Sequence, residues 1–157
     1  MVLFSLFFLD EARPKEKSPF LGNTLDLQLL SVDGRTVNLK EFEGKLVLID
    51  FWATWCGPCM RELPEVKEVY DTWHEKGFEI IGISFDQSKE MLLSVLKREH
   101  IPWPQYFEES DGPNHFAVQY GINRIPTMWL VDKRGVFREI VVRGKLEKQV
   151  KRLMKEK

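Results

Sequence analysis

Residues 50–64 read DFWATWCGPCMRELP, and this stretch decides the fold. It follows KLVLI at 45–49, a continuous apolar run that predicts a central β-strand covered on both faces. After the cysteines, apolar residues recur at three- and four-residue steps as far as the stop signal Gly77, which predicts a long helix. Cys56 and Cys59 therefore stand at a junction between a buried strand and a helix.

The two cysteines have the spacing of a redox pair. At positions i and i+3 of a first helical turn they lie on one side of the backbone, roughly 5–6 Å apart, which is compatible with a disulfide. The helix start directs unpaired N–H groups and the positive end of the helix dipole at Cys56, which favours its reactive thiolate. Gly57 allows a sharp turn, and Pro58 suits an early helical position. We expect Cys56 to attack first and Cys59, less exposed, to act second.

Two carboxylates near the cysteines are candidates for proton transfer. Asp50 is predicted to end an otherwise apolar strand, where desolvation penalises its charge. Glu62 lies three residues beyond Cys59, near the same helical face, and could handle the proton that Cys59 must lose. The alternatives are a polar cap at the strand end for Asp50 and a solvated surface glutamate for Glu62.

Composition limits the remaining possibilities. A chain of 157 residues, 43% of them hydrophobic, can bury one substantial core. With 23 Lys and Arg against 24 Asp and Glu, it offers no broad basic surface for nucleic acid. Its two cysteines leave no further thiols for a metal site, and its three histidines have no ligand spacing. We expect no metal and no cofactor, with half a zinc knuckle or an inert buried pair as the weaker alternatives.

The N-terminal residues differ from the rest. The run MVLFSLFFL is apolar for nine residues, where a bilayer span needs about 20, and RPKEKSP at 13–19 has the composition of a linker. We interpret residues 1–18 as an apolar segment and linker, either a remnant of a longer export or membrane segment or the end of a preceding element, with a packed N-terminal helix as the alternative. The domain is then 19–157.

The remaining elements alternate between strands and helices. In chain order, the pattern predicts a hairpin from 25–30 and 35–39, a buried strand at 78–84, a helix at 88–100, an edge strand within 103–107, a short helix at 115–120, a second hairpin from 127–131 and 136–142, and a last helix from about 145. This order predicts a mixed sheet with helices on both faces. Ile125-Pro126 precedes a strand, where a special backbone such as a cis bond is plausible.

These motifs resemble the thioredoxin superfamily. The resemblance rests on residues 50–59, Glu62-Leu63-Pro64, Tyr120-Gly121-Ile122 and Ile125-Pro126-Thr127, and is nearest to the TlpA-like and ResA-like branch, extracytoplasmic proteins associated with cytochrome c maturation and disulfide reduction. It covers residues 20–157. It implies an α/β thioredoxin fold: a mixed central sheet flanked by helices, with an N-terminal hairpin and an inserted helix and strand.

The resemblance also implies functional roles. It makes the chain a protein-disulfide reductase with proton handling at Asp50 and Glu62, and with Pro126 as the family's cis-proline. The implied substrate-binding residues are Trp55, Gly57, Pro58, Ile125 and Pro126. It implies substrates that are disulfide-containing proteins, apocytochrome c among them, and a membrane thiol protein as electron donor. It also implies a monomer with an extracytoplasmic location, with the cytoplasm as the alternative. Thioredoxins usually carry a lysine near the buried aspartate; Gly82 stands in that place here, so a cationic partner for Asp50 is missing.

Two other functions compete with this one. A peroxiredoxin would reduce peroxides on the same fold, but its P-x-x-x-T-x-x-C pattern fails, because Ala53 stands where threonine belongs and Ile49 where proline belongs. A redox-inert binding module would keep the fold for its surface alone. The presence of both cysteines argues against this second alternative.

Overall fold

The computed structural model describes residues 18–157, so the predicted apolar segment and most of the linker lie outside the described residues. The strands are β1 (Gln28–Leu30), β2 (Thr36–Asn38), β3 (Leu46–Trp52), β4 (Phe78–Ser84), β5 (Gln105–Tyr106), β6 (Thr127–Val131) and β7 (Phe137–Ile140). The helices are α1 (Gly57–Trp73), α2 (Lys89–Arg98), α3 (His115–Tyr120) and α4 (Leu146–Met154). Among these residues, no helix is both long and apolar enough to cross a bilayer.

A five-stranded mixed sheet forms the centre of the fold. Its order is β5-β4-β3-β6-β7, with β3, β4 and β5 parallel and with β6 antiparallel to both of its neighbours. All seven residues of β3 are buried, which confirms the predicted central strand. One expectation was wrong: Asp50 does not end the strand. The ladder continues because Phe51 and Trp52 are also buried and remain paired with β4.

The two faces of the sheet carry different layers. Alternate residues of a strand point to opposite faces, so Leu48 and Ile49 belong to separate clusters. The Leu48 cluster includes apolar residues of α1 and α4. The Ile49 cluster includes residues of α3, β1 and β2. Helices therefore cover both faces, as predicted, and Asp50 lies on the face of Leu48, under α1.

The N-terminal hairpin and the inserted segment are both present. β1 and β2 pair antiparallel as a separate two-stranded sheet, which a bridge from Ser31 to Tyr106 connects to β5. The inserted helix α2 is capped by the Ser88 side chain, and β5 forms an edge of the main sheet. Trp103 between them is buried and packs in the core. The insertion thus places residue 105 beside the strand that neighbours β3.

Candidate active site

Cys56 and Cys59 form a disulfide at the start of α1. Their Cα atoms are 5.2 Å apart, within the predicted range. Cys56 is the N-cap of the helix, and its Sγ accepts a 3.2 Å hydrogen bond from the backbone N–H of Cys59. The prediction that Cys59 is less exposed than Cys56 is wrong for this oxidised state, since the two residues are 5% and 4% exposed. The disulfide holds both against Trp52 and Leu92, so position in the helix, not exposure, distinguishes them.

The predicted substrate-binding residues surround this disulfide. The Ile125–Pro126 peptide bond is cis, as the sequence suggested. Ile125 packs on the apolar cluster that contains both cysteines. Pro126 and Pro58 line one cleft of about 390 Å³, and Trp55, 67% exposed, lines a second of about 530 Å³ together with Ile125. Gly57 lies between the two cysteines in the chain and is the first residue of α1.

Asp50 is a buried carboxyl group with a perturbed pKa. The residue is 6% exposed, and its Oδ1 has no hydrogen-bond partner among the described residues. Burial, and secondarily the charge of Glu62, raise the pKa of Asp50 from 3.8 to about 7. Its partner on β4 is Gly82, so that position supplies no cation, as the sequence indicated. A carboxyl group with this pKa can both release and accept a proton near neutral pH.

Glu62 lies at the wall of the Pro126 cleft, one turn beyond Cys59. Burial raises the pKa of its carboxyl, while the guanidinium of Arg143 acts in the opposite direction. The Arg143 Nε and Glu62 Oε1 atoms are 3.6 Å apart. The structure thus brings Glu62 into electrostatic contact with Asp50, and links both to the segment after β7 through Arg143.

A buried carboxylate braces the loop before the cysteines. Asp86 accepts hydrogen bonds from the Thr54 backbone N–H, the Thr54 hydroxyl and the Ser84 hydroxyl. These bonds tie the loop between β3 and α1 to the end of β4, 32 positions further along the chain. A carboxylate with several donors is strongly held. This brace fixes Thr54, two positions before Cys56, and no role was predicted for Asp86 from the sequence.

The comparisons with known proteins identify the family. A model of the AhpC/TSA family matches residues 22–140. The chain belongs to the AhpC/TSA family. It is 30% identical over 132 residues to the thiol-disulfide oxidoreductase ResA of Geobacillus thermodenitrificans, covering 83% of this chain and 74% of that protein. Its identity to the ResA of Bacillus thuringiensis is 28% over 153 residues, covering 98% of this chain and 84% of that protein.

Solved structures agree with this assignment. The thioredoxin domain of a thiol-disulfide oxidoreductase from Bacteroides vulgatus superposes with a TM-score of 0.76 at 28% identity, covering 85% of this chain and 97% of that chain. A thiol:disulfide interchange protein from Bacteroides sp. superposes with a TM-score of 0.75 at 29% identity. The match covers 87% of this chain and 93% of that chain. The thioredoxin fold predicted from the sequence is confirmed.

The family, the relatives and the cysteine geometry together define the activity. This AhpC/TSA chain is a thiol–disulfide oxidoreductase that exchanges dithiol for disulfide through Cys56 and Cys59. Its substrates are proteins that contain disulfides. Among residues 18–157, no group of three His, Cys, Asp or Glu side chains could hold a metal ion.

Two cations near the site were not predicted. A Cβ built at Gly57 would lie 3.3 Å from Nη1 of Arg61, so the guanidinium of this exposed residue lies beside the first turn of α1, between the cysteines. Arg143 reaches Glu62 from the far end of the chain. Arg61 sits four residues beyond Gly57, the spacing of facing helix positions, which is a signal the sequence did contain. Nothing in the sequence pairs Arg143 with Glu62.

Proposed function

We propose that this oxidoreductase works as a reductant of protein disulfides. The observation that carries the proposal is the segment Cys56-Gly57-Pro58-Cys59 at the N-terminus of α1. Strong oxidants stabilise their thiolate greatly, whereas here the intervening dipeptide contributes no charged or imidazole group. Arg61 lies nearby, but its side chain is exposed, so solvent and salt screen its charge. A weakly stabilised thiolate gives a low, reducing potential.

The proposed reaction has two exchange steps. The Cys56 thiolate attacks one sulfur of the substrate disulfide, and the other substrate sulfur leaves as a thiolate that takes up a proton. Cys59 then loses its proton and attacks Cys56 Sγ, which breaks the mixed disulfide, closes Cys56–Cys59 and releases the second substrate thiol. Two electrons pass from the dithiol to the substrate.

We propose that Asp50 and Glu62 handle the Cys59 proton. Asp50 is buried on the face of the sheet that α1 covers, and a pKa of about 7 lets its carboxylate accept a proton at neutral pH. Glu62 faces the Pro126 cleft and can pass that proton toward solvent. The charge of Glu62 contributes to the raised pKa of Asp50, so the titration of Asp50 depends on the protonation of Glu62.

We propose that the substrate lies across the cleft edge beside the cis-proline. Pro126 and Ile125 would pair with the substrate backbone, and the exposed ring of Trp55 would contact its side chains. Gly57 and Pro58, both exposed, present the surface beside Cys56 to the substrate, and Gly57 adds no side chain there. The clefts on either side, both lined by Arg124, have room for an extended peptide.

The biological setting is also a proposal. Relatives named ResA and the resemblance to the TlpA-like branch support an extracytoplasmic monomer that reduces apocytochrome c and receives electrons from a membrane thiol protein. In this proposal residues 19–157 form the working domain.

Reduction of two substrates tests these proposals. The dithiothreitol-reduced protein should reduce insulin disulfides, and should reduce an oxidised C-x-x-C-H peptide, the haem-attachment motif of c-type cytochromes, faster. Cys56→Ser should be inactive on both. Equal rates on the two substrates would remove the apocytochrome proposal, and no activity on either would remove the reductase proposal.

The peroxide-reductase alternative has less support. Position 53 is a fully buried alanine, so it offers no hydroxyl to a peroxide. The neighbouring Thr54 hydroxyl is engaged with Asp86. Hydrogen peroxide should therefore be consumed no faster by the wild type than by Cys56→Ser, which lacks the attacking thiol.

A further inference from the structure

Gln105 is a buried polar residue that lies across Gly82. It is 1% exposed and pairs with Gly82 in the parallel register of β4 and β5. A Cβ built at Gly82 would come well within 3.0 Å of the Gln105 amide group. The amide therefore occupies the space that a side chain at position 82 would fill, and glycine is needed there for the close approach.

This placement brings the Gln105 amide next to Asp50. Gly82 is the register partner of Asp50 on β3 and of Gln105 on β5, so all three residues form one row across the sheet. Residues paired in a row point to the same face, and neighbouring strands are only about 4.8 Å apart. The Gln105 side chain occupies the position above Gly82 that lacks a side chain, and it therefore extends from β5 toward Asp50 on β3.

The orientation of the amide is fixed by a second contact. The Gln105 Oε1 accepts a 2.9 Å hydrogen bond from the indole Nε1 of Trp52. An indole nitrogen can only donate, so the oxygen must face Trp52 and the NH₂ group must point elsewhere. The backbone N–H of Gln105 donates to the Ser31 hydroxyl, which anchors β5 at this point.

Among the described residues, the side chains of Gln105 and Asp50 carry an unpaired donor and an unpaired acceptor, respectively. Nε2 of Gln105, a donor, and Oδ1 of Asp50, an acceptor, are both buried and lack a partner within the described part of the chain. Buried polar groups normally find partners, because leaving them unpaired costs free energy. A carboxylate needs donors more than a neutral carboxyl group does.

We propose that Gln105 is a positioning residue for Asp50: its side-chain NH₂ group donates to the Asp50 carboxylate, directly or through one water, when that group is ionised. The amide thereby favours release of the Asp50 proton without contributing a charge. This inference rests on the proposed role of Asp50 and deepens it. The titratable group whose charge acts on Asp50 is Glu62 of α1, whereas its strand partners Gly82 and Met128 carry no charge.

Infrared titration of the carboxyl group tests the proposal without any substrate. In the oxidised protein, the C=O band that disappears in Asp50→Asn reports protonated Asp50. Gln105→Met, which keeps the length and removes the donor, should raise its titration midpoint by about one pH unit, because a hydrogen bond to the ionised form is lost. Ser31→Ala, which removes the anchor of the Gln105 backbone and leaves the amide, should not move the midpoint.

A measurement on the wild type covers the case in which Gln105→Met does not fold. The Gln105 side-chain amide protons, assigned through their proximity to the Trp52 indole proton, should shift with pH at the Asp50 midpoint. In Asp50→Asn this shift should vanish. An unchanged midpoint in folded Gln105→Met, or amide signals that do not respond to Asp50, would overturn the proposal. Neither readout depends on insulin reduction, so this failure differs from failure of the reductase proposal.

Discussion

Asp50 stands directly opposite Gly82 in the parallel pairing of β3 and β4, and this partner offers no cation to its buried carboxyl group. Burial raises the pKa of Asp50 to about 7, so the folded protein keeps a proton that the unfolded chain releases near pH 4. Between these values the unfolded state binds fewer protons, and stability must fall as the pH rises.

Asp50→Asn should therefore be more stable than the wild type at alkaline pH. The difference in unfolding free energy between the two proteins should be absent near pH 4 and should grow between pH 4 and about pH 7. It should reach a few kcal/mol at pH 8. Urea unfolding of both oxidised proteins from pH 4 to pH 8.5 measures it. Parallel stability curves across this range would show that Asp50 titrates normally.

The order of attack can be tested with cysteine variants. Cys56 is the N-cap of α1, and its Sγ accepts a hydrogen bond from the Cys59 backbone N–H. Because both features favour its thiolate, Cys56 should be the nucleophile. Cys59→Ser should accumulate a mixed disulfide with substrate through Cys56, whereas Cys56→Ser should accumulate none. Mass spectrometry of the trapped adduct identifies the linked cysteine. If alkylation of the reduced wild type labelled Cys59 first, the order would be reversed.

The brace around Asp86 predicts a loss of both stability and activity. Asp86→Ala removes the acceptor of the half-buried Thr54 N–H and of the Thr54 and Ser84 hydroxyls, which should cost about 1–3 kcal/mol of unfolding free energy. The insulin reduction rate should fall, because the loop that leads into Cys56 loses its fixed position. Asp111→Ala, an exposed aspartate outside this network, is the control and should change neither. A stable, fully active Asp86→Ala would show that the loop holds its place without the brace.

The Glu62–Arg143 pair predicts a change in the pH profile of exchange. Arg143 opposes the burial that raises the pKa of Glu62, so Arg143→Ala should move the Glu62-dependent limb of the rate profile to higher pH. The shift should be less than one pH unit, because the Arg143 side chain is largely exposed. In Glu62→Gln that limb should be absent. The control is Arg134→Ala, since Arg134 pairs with Asp132 and not with Glu62. This variant should keep the wild-type profile. Identical profiles for all four proteins would exclude Glu62 from proton handling.

Much of the site could be predicted because its signals are local. The cysteine spacing, the buried strand before it and the proline before β6 are each contained within a few residues, and the structure has all three. The predicted end of β3 at Asp50 was wrong, since a carboxylate normally marks the end of an apolar strand and here the strand continues to Trp52. Its tolerance inside the strand depends on its pKa, which only the packed neighbours determine.

The unpredicted parts depend on contacts between distant positions. Trp52 and Gln105 are 53 positions apart, and only the pairing of β4 with β5 brings them together. One local signal existed, because a glycine inside a buried strand indicates close approach of another group, and Gly82 is such a glycine. That signal could not name the group. The equal burial of Cys56 and Cys59 likewise follows from the surrounding cluster and not from their order in the helix.

The reduction potential tests the central proposal most directly. The protein is equilibrated in graded glutathione and dithiothreitol buffers, and the fluorescence of Trp52 and Trp55 reports the fraction reduced. The proposal predicts a midpoint near the thioredoxin value of about −270 mV, moved slightly more negative by Arg61→Ala, which removes the cation beside Gly57. A midpoint as positive as about −150 mV would place the protein among the oxidants and contradict the account.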